Sequence, residues 1–280
     1  MFASVWRPEL PDSIDGKPLA EIPLDFVTDF PYERLPSSRF VAFFLRPEVP
    51  ILLILGYFIS EAYLPQICEA FGINGKSTLY KTSVALHNLL LAVFSAVVLV
   101  NSWPIVIQHY TEKGFHASYC DPDGSFWSSS GFGAWATIFY LSKYYEFIDT
   151  YVLIGKGKKP SFLQLYHHAG IVITMWGAVV SHSAWLQVVV LLNSFIHTLM
   201  YTYFFIKTID PKRQIKGAKY LTTAQIVQFY TGILYTIPVH FLGESCDSSA
   251  SRAVALFIHL YAVGLIFLFT AFAKRKYKKV

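Results

Sequence analysis

Charge is scarce in this sequence: Asp, Glu, Lys and Arg make up 15% of its 280 residues, where soluble domains carry about a quarter. Beside 54% hydrophobic and 17% aromatic residues, that shortage excludes the one or two ordinary soluble domains that length alone would suggest. Cysteine is scarce as well. Cys68, Cys120 and Cys246 are the only three, and none falls in a polar stretch of an apolar segment, so thiolate chemistry has no candidate nucleophile in such a stretch. The opening residues Met1 to Pro8 lack a basic region followed by an apolar one. We therefore expect no cleavable signal peptide, with the first apolar segment directing insertion. No internal repeat is visible, and nothing in the chain points to a nucleic-acid partner.

What is abundant is apolar sequence in long runs. They fall near 49–65, 84–107, 134–154, 166–183, 185–206, 218–241 and 253–273, each close to the ~20 residues that cross ~30 Å of hydrocarbon. The expected fold class is therefore all-α, a multi-pass membrane protein of about seven transmembrane helices. The expected organisation is an irregular, proline-rich segment over 1–48, a helical membrane domain over 49–273 and a basic tail over 274–280. Lys156, Lys158 and Lys159 lie between the third and fourth runs, and Lys207, Lys212, Arg213, Lys216 and Lys219 between the fifth and sixth. The tail adds Lys274, Arg275, Lys276, Lys278 and Lys279, whereas the opposite loops hold only Lys113 and Arg252. Short loops rich in Lys and Arg stay cytoplasmic, which predicts a cytosolic C-terminus and a lumenal N-terminus. The same topology puts Cys120 and Cys246 on the lumenal side, where disulfides persist, and predicts that they pair. Lys276 and Lys278 are also spaced as in a KxKxx retrieval address, which predicts the endoplasmic reticulum membrane.

Polar residues inside these runs come in stripes. Lys143, Glu146 and Asp149 with Thr150 mark the third run, Gln164, His167 and His168 the fourth, Asn193, His197 and Tyr201 the fifth, and Gln225 and Gln228 the sixth. Residues three, four and seven apart share one helix face, and ionisable groups at bilayer depth face a cavity or a water path. The four stripes are expected to wall one cavity. Two structural alternatives accompany them: Lys143 and Glu146 can be an internal ion pair that only holds helices together, and Gln225 and Gln228 can be interhelical glue. His87 and Asn88, outside any stripe, read as packing or headgroup-level residues. His109 and His116 read as solvated members of a loop over 108–132, His182 as exposed, and His240 and His259 as packing or interfacial residues.

The four stretches together, in this order, resemble the ELO family of very-long-chain fatty acid elongases. One position departs from the common HxxHH box: Gln164 stands at its first histidine, giving QxxHH, which is similar to the variant of elongases that act on polyunsaturated chains. The resemblance implies decarboxylative condensation of malonyl-CoA with a long-chain acyl-CoA, no cofactor, no metal and an acyl tunnel. It also implies cooperation with the ketoreductase, dehydratase and enoyl reductase of the elongation cycle. In that scheme His167 takes the acyl group, and His168 and His197 serve as bases or oxyanion partners oriented by Asp149 and Asn193. Gln164 substitutes for a titratable group, and Lys143, Glu146, Tyr201, Gln225 and Gln228 line the substrate. Lys158, Lys159, Lys274 and Arg275 are the candidate phosphate contacts for CoA; for most basic residues here, fixing topology is the simpler role. A membrane di-iron desaturase or hydroxylase shares histidine boxes but needs more histidine ligands than the grouped His167, His168 and His197. A seven-helix receptor would share the topology without needing the stripes.

Overall fold

The computed structural model describes residues 38–73, 75–243 and 246–277, and among these every regular element is helical. In order they are α1 (Arg39–Leu45), α2 (Glu48–Ala70), α3 (Thr78–Cys120), α4 (Phe132–Tyr145), α5 (Ile148–Gly155), α6 (Phe162–Val180), α7 (Leu186–Ile209), α8 (Ala218–Thr236) and α9 (Ser249–Tyr277). A short 3₁₀ turn, Ile237–His240, extends α8. Residues 1–37, most of the expected irregular segment, lie outside the described residues, as does Lys278 of the retrieval address.

By length and composition α2, α3, α7 and α9 can each cross a membrane. The other three expected runs correspond to α4 with α5, to α6 and to α8. Each is shortened or made more polar by the residues that wall the site: the first is divided after Tyr145, α6 carries Gln164, His167 and His168, and α8 carries Gln225 and Gln228. The outer face of α2 leaves Ile51, Leu55 and Ile59 exposed, apolar surface suited to a lipid surround.

α3 lies along α7, α7 along α8, α8 along α9, α9 along α6, and α6 along α4, which returns to α3 and α7. Contacts thus close a circuit around a common interior, with α2 packed outside against α5 and α6. The core includes Trp135, Phe139, Tyr140, Val172, Met175, Trp185, Leu186 and Val190. Small residues permit two of the closest approaches. A Cβ at Gly170 would come within 2.2 Å of Tyr261 Cε2, and one at Gly264 within 2.4 Å of the Tyr166 hydroxyl, so α6 and α9 cross with their tyrosines interleaved.

The expected loop over 108–132 is largely helix. α3 runs on to Cys120, broken at Gly114, whose φ of 81° and ψ of 177° only glycine adopts without strain. The break folds the end of α3 back, so His109 is buried rather than solvated, its Nδ1 2.7 Å from Ser118 Oγ. His116 is exposed. Asp121 then turns the chain by accepting the backbone N–H groups of Phe126 and Trp127, each at 2.8 Å. Burial pushes its carboxyl above the usual range, and those two donors oppose the shift. Cys120 and Cys246 are joined, with Cα atoms 4.4 Å apart across 126 residues; a bridge closing so long a loop stabilises by about 2–4 kcal/mol. It ties the end of α3 to the start of α9. Cys68 is free and buried.

Candidate active site

The third run reaches the site through a change of helical pitch. After Tyr145 the backbone bonds tighten: Phe147 N–H reaches Tyr144 C=O at 3.2 Å, Asp149 reaches Glu146 at 3.0 Å and Thr150 reaches Phe147 at 3.1 Å. Bonds between residues three apart wind three residues per turn, which eclipses side chains at that spacing. Lys143, Glu146 and Asp149 are spaced by three. On a regular α-helix the stripe would drift round the axis; the tight turn straightens it.

Lys143 and Glu146 are fully withdrawn from solvent and bonded, Nζ to Oε1 at 2.6 Å. The ammonium also lies 3.7 Å from the Phe139 ring centroid and 3.4 Å from Asn193 Oδ1 on α7. Two buried opposite charges offset most of one another's desolvation only when so arranged. Asp149 is held from both sides: His87 Nε2 of α3 at 2.8 Å from Oδ1, and the Tyr201 hydroxyl of α7 donating to Oδ2 at 2.7 Å. His87 therefore joins a stripe from another helix and is not merely a packing residue. Its other ring nitrogen lies 3.3 Å from the Tyr145 hydroxyl. Asn88, by contrast, bonds back to Val84 C=O within α3.

Ser161 caps α6 by accepting the Gln164 N–H, satisfying one of the free donors at a helix start. One turn on, Gln164 Nε2 donates to Thr150 Oγ1 at 3.0 Å, and Thr150 also meets the Tyr57 hydroxyl of α2 at 2.7 Å. This amide is thus directed at α5 and α2. His167 lies beyond it, with Nδ1 3.0 Å from the Tyr261 hydroxyl of α9. The His168 ring meets edge-on the stacked rings of Tyr57 and Phe147, each centroid 6.2 Å distant. The rings of His167 and His197 stand 6.5 Å apart, and His197 meets Tyr201 edge-on at 5.4 Å. Histidines from α6 and α7 thus converge on the Lys143, Glu146 and Asp149 face.

Several buried polar atoms at this convergence have no hydrogen-bond partner: Glu146 Oε2, His168 Nδ1, His197 Nδ1 and, on α8, Gln228 Oε1. His197 Nδ1 is 3.5 Å from Glu146 Oε1, beyond a normal hydrogen bond. Unmet polar groups cost about 1–3 kcal/mol each when buried, and their concentration in one place leaves acceptors and ring nitrogens open to a polar ligand. Gln225 Nε2 is directed at Met200 Sδ, 3.4 Å away. Among the described residues no three His, Cys, Asp or Glu side chains are grouped to hold a metal ion.

From this polar end a partly open cavity extends between α6, α7, α8 and α9. His167, Asn193, Gln228 and Tyr261 border it at one end. Its walls are Ile171, Val188, Leu192, Phe229, Ile233, Ile258 and Leu265, and Thr236 and His259 stand further along. Thr236 Oγ1 lies 2.6 Å from His259 Nε2, and His240 pairs with the other nitrogen of that ring at 3.3 Å. These two histidines, read separately from sequence, form one unit. His182 is exposed, stacked on Trp127. Lys158, Lys159, Lys274 and Arg275 are exposed, none of them lining the cavity.

The model of the GNS1/SUR4 family, ELO, matches residues 42–280, which takes in every element of this site. The chain belongs to the ELO family. Relatives include fatty acid elongase sre1 of Dictyostelium discoideum, 35% identical over 193 residues, 66% of this chain and 69% of that one. A putative fatty acid elongase of the same organism is 31% identical over 250 residues, 87% of this chain and 79% of its own. Long chain fatty acid elongase 2 of Caenorhabditis elegans is 31% identical over 204 residues, 70% and 73% of the two chains.

Three residues that touch this polar cluster do not stand out in the sequence. His87 lies in an apolar run with only Asn88 beside it, Tyr57 in α2 has Ser60 and Glu61 at helical spacing, and Tyr261 sits in the unbroken Leu260-Tyr261-Ala262-Val263 stretch of α9. For His87 the available signal was a titratable group one turn or so inside a span, for Tyr57 it was polar residues three and four positions on, and Tyr261 offered none.

Proposed function

We propose that this ELO protein is a fatty acid elongase that condenses malonyl-CoA with a long-chain fatty acyl-CoA, releasing CO2 and CoA and forming a 3-oxoacyl-CoA. The observation that carries the reading is a mainly apolar cavity with a histidine at its polar end: His167 borders a space walled chiefly by aliphatic and aromatic side chains. An acyl chain fills such a space by the hydrophobic effect, which brings its thioester carbonyl to the polar end. There a neutral imidazole can act as nucleophile near neutral pH.

In the first half-reaction His167 attacks the thioester carbon, a C–N bond forms, the C–S bond breaks and CoA leaves as thiolate, taking up a proton. In the second, malonyl-CoA loses CO2, the resulting enolate carbon attacks the acyl-imidazole, and the C–N bond breaks to restore His167. One proton is consumed overall. His168 and His197 can supply or hold protons, and the Lys143 ammonium near Asn193 favours developing negative charge. The apolar walls exclude water from an intermediate that hydrolyses easily.

Finer features belong to the same proposal. The chain spans the endoplasmic reticulum membrane seven times with its C-terminus cytosolic. Lys158, Lys159, Lys274 and Arg275 meet the CoA phosphates there, and the product passes to the ketoreductase, dehydratase and enoyl reductase of the cycle. Gln164 in its QxxHH box supports a polyunsaturated acyl substrate. The test is incubation of purified protein with acyl-CoA alone. We expect a burst of free CoA equal to the enzyme present and an acyl adduct on His167 by mass spectrometry, both absent in His167→Gln. Protein that elongates with malonyl-CoA yet gives neither burst nor adduct overturns the covalent route. Protein that incorporates no malonyl-CoA carbon with any acyl-CoA overturns the function itself.

A further inference from the structure

Tyr261 touches His167 twice. Its hydroxyl lies 2.9 Å from the His167 backbone oxygen and 3.0 Å from His167 Nδ1. A phenol carries a single proton, and a carbonyl can only accept. The bond to the backbone oxygen therefore uses the tyrosine's proton, and the phenol oxygen accepts at its second contact. The donor there is Nδ1–H. The opposite arrangement, with the tyrosine donating to a bare Nδ1, leaves phenol and carbonyl oxygens facing each other at 2.9 Å as two acceptors. Buried as this hydroxyl is, that arrangement is the costlier.

We propose that Tyr261 is a positioning residue that holds His167 in its Nδ1-protonated tautomer and so leaves the Nε2 lone pair for the acyl carbonyl. The inference rests on the reading of His167 as acyl carrier. A ring can attack only through its unprotonated nitrogen, and the free imidazole side chain favours the proton on Nε2, the wrong place for attack from that atom. The bond from the other nitrogen is what fixes which one is bare.

Packing shows that the arrangement is built. Tyr261 crosses α6 at Gly170, where a Cβ would come 2.2 Å from its ring. Tyr166 lies against it with centroids 5.4 Å apart, and the Tyr166 hydroxyl donates to the Tyr261 backbone oxygen at 3.3 Å. The two tyrosines thus brace each other's chains, and only glycine at 170 lets the ring lie close enough for both contacts.

The test is nitrogen NMR of full-length protein in lipid bilayers with ¹⁵N-labelled histidine, the His167 signals assigned by their loss in His167→Gln. We expect Nδ1 protonated and Nε2 bare in the wild type, and proton density moving to Nε2 in Tyr261→Phe. In the same variant the rate constant of the CoA burst from acyl-CoA should fall by a factor on the order of 10² to 10⁴, the range for a misdirected catalytic proton, with KM unchanged. Gly170→Ala keeps the hydroxyl but displaces the ring, and should reproduce the loss. A wild-type His167 protonated on Nε2, or an undiminished burst in Tyr261→Phe, overturns the proposal. Where a variant does not fold, the wild-type spectrum alone decides. Should the wild type elongate without a burst, the acyl-histidine reading falls; an Nδ1–H signal that Tyr261→Phe abolishes would still support the hold on the ring, and one it leaves in place would overturn it.

Discussion

Lys143→Met separates the two roles open to the buried pair. The substitution removes the ammonium 2.6 Å from Glu146 Oε1 and leaves a carboxylate whose other oxygen already lacks a partner. Asn193 Oδ1 loses its 3.4 Å contact as well. Breaking a buried pair from one side costs about 3–5 kcal/mol, whereas replacing both charges with uncharged groups of similar volume is often neutral. At about 2–4 °C per kcal/mol, Lys143→Met and Glu146→Gln should each lower the unfolding midpoint in detergent by roughly 6–20 °C. The double variant should recover most of that loss. The comparison is made at one heating rate, since membrane proteins often unfold irreversibly. Elongation is then assayed below the midpoint of every variant. A double variant that regains stability but not turnover assigns the charged pair to the chemistry; one that regains both assigns the pair to architecture. Additive destabilisation in the double variant would refute the reasoning, because it would mean that the two charges do not compensate each other.

Gly232 borders the cavity on α8, and a Cβ there meets nothing within 4 Å. Gly232→Val should therefore fold as well as the wild type while narrowing the bore, lowering turnover of the longest accepted acyl-CoA at least about tenfold, the order expected when a hydrophobic site rejects extra methylenes, and sparing shorter ones in a chain-length panel. Equal losses across the panel would count against this cavity as the acyl site. His87→Leu removes one of the two donors to Asp149 and should reduce kcat/KM by about 1.5–3 kcal/mol, the value of a hydrogen bond to a charged group. His87→Gln, able to donate from a similar position, should recover part of it, which steady-state kinetics on the three proteins would read.

The sequence by itself determined the class and the cast. A composition that no soluble core can use, runs of bilayer length and polar residues at helical spacing are local properties of the chain, so the helical membrane fold and the convergence of Lys143, Glu146, Asp149, His167, His168 and His197 were legible without coordinates. Residues three and four apart on a helix have no choice but to share a face. Tertiary structure decided everything that depends on a second helix. The turn at Glu146 to Thr150 that straightens the Lys143 stripe is set by backbone bonds that the spacing alone does not reveal. The helical turns from Phe115 to Cys120 resume after a break at Gly114, and only that folded-back geometry, which on sequence reads as a loop, buries His109 against Ser118. His87 on Asp149, Gln164 on Thr150 and Tyr261 on His167 each join residues 14 to 94 positions apart. Such pairings arise from which helices pack and at what height, and a periodicity within one helix carries no trace of its neighbour's register.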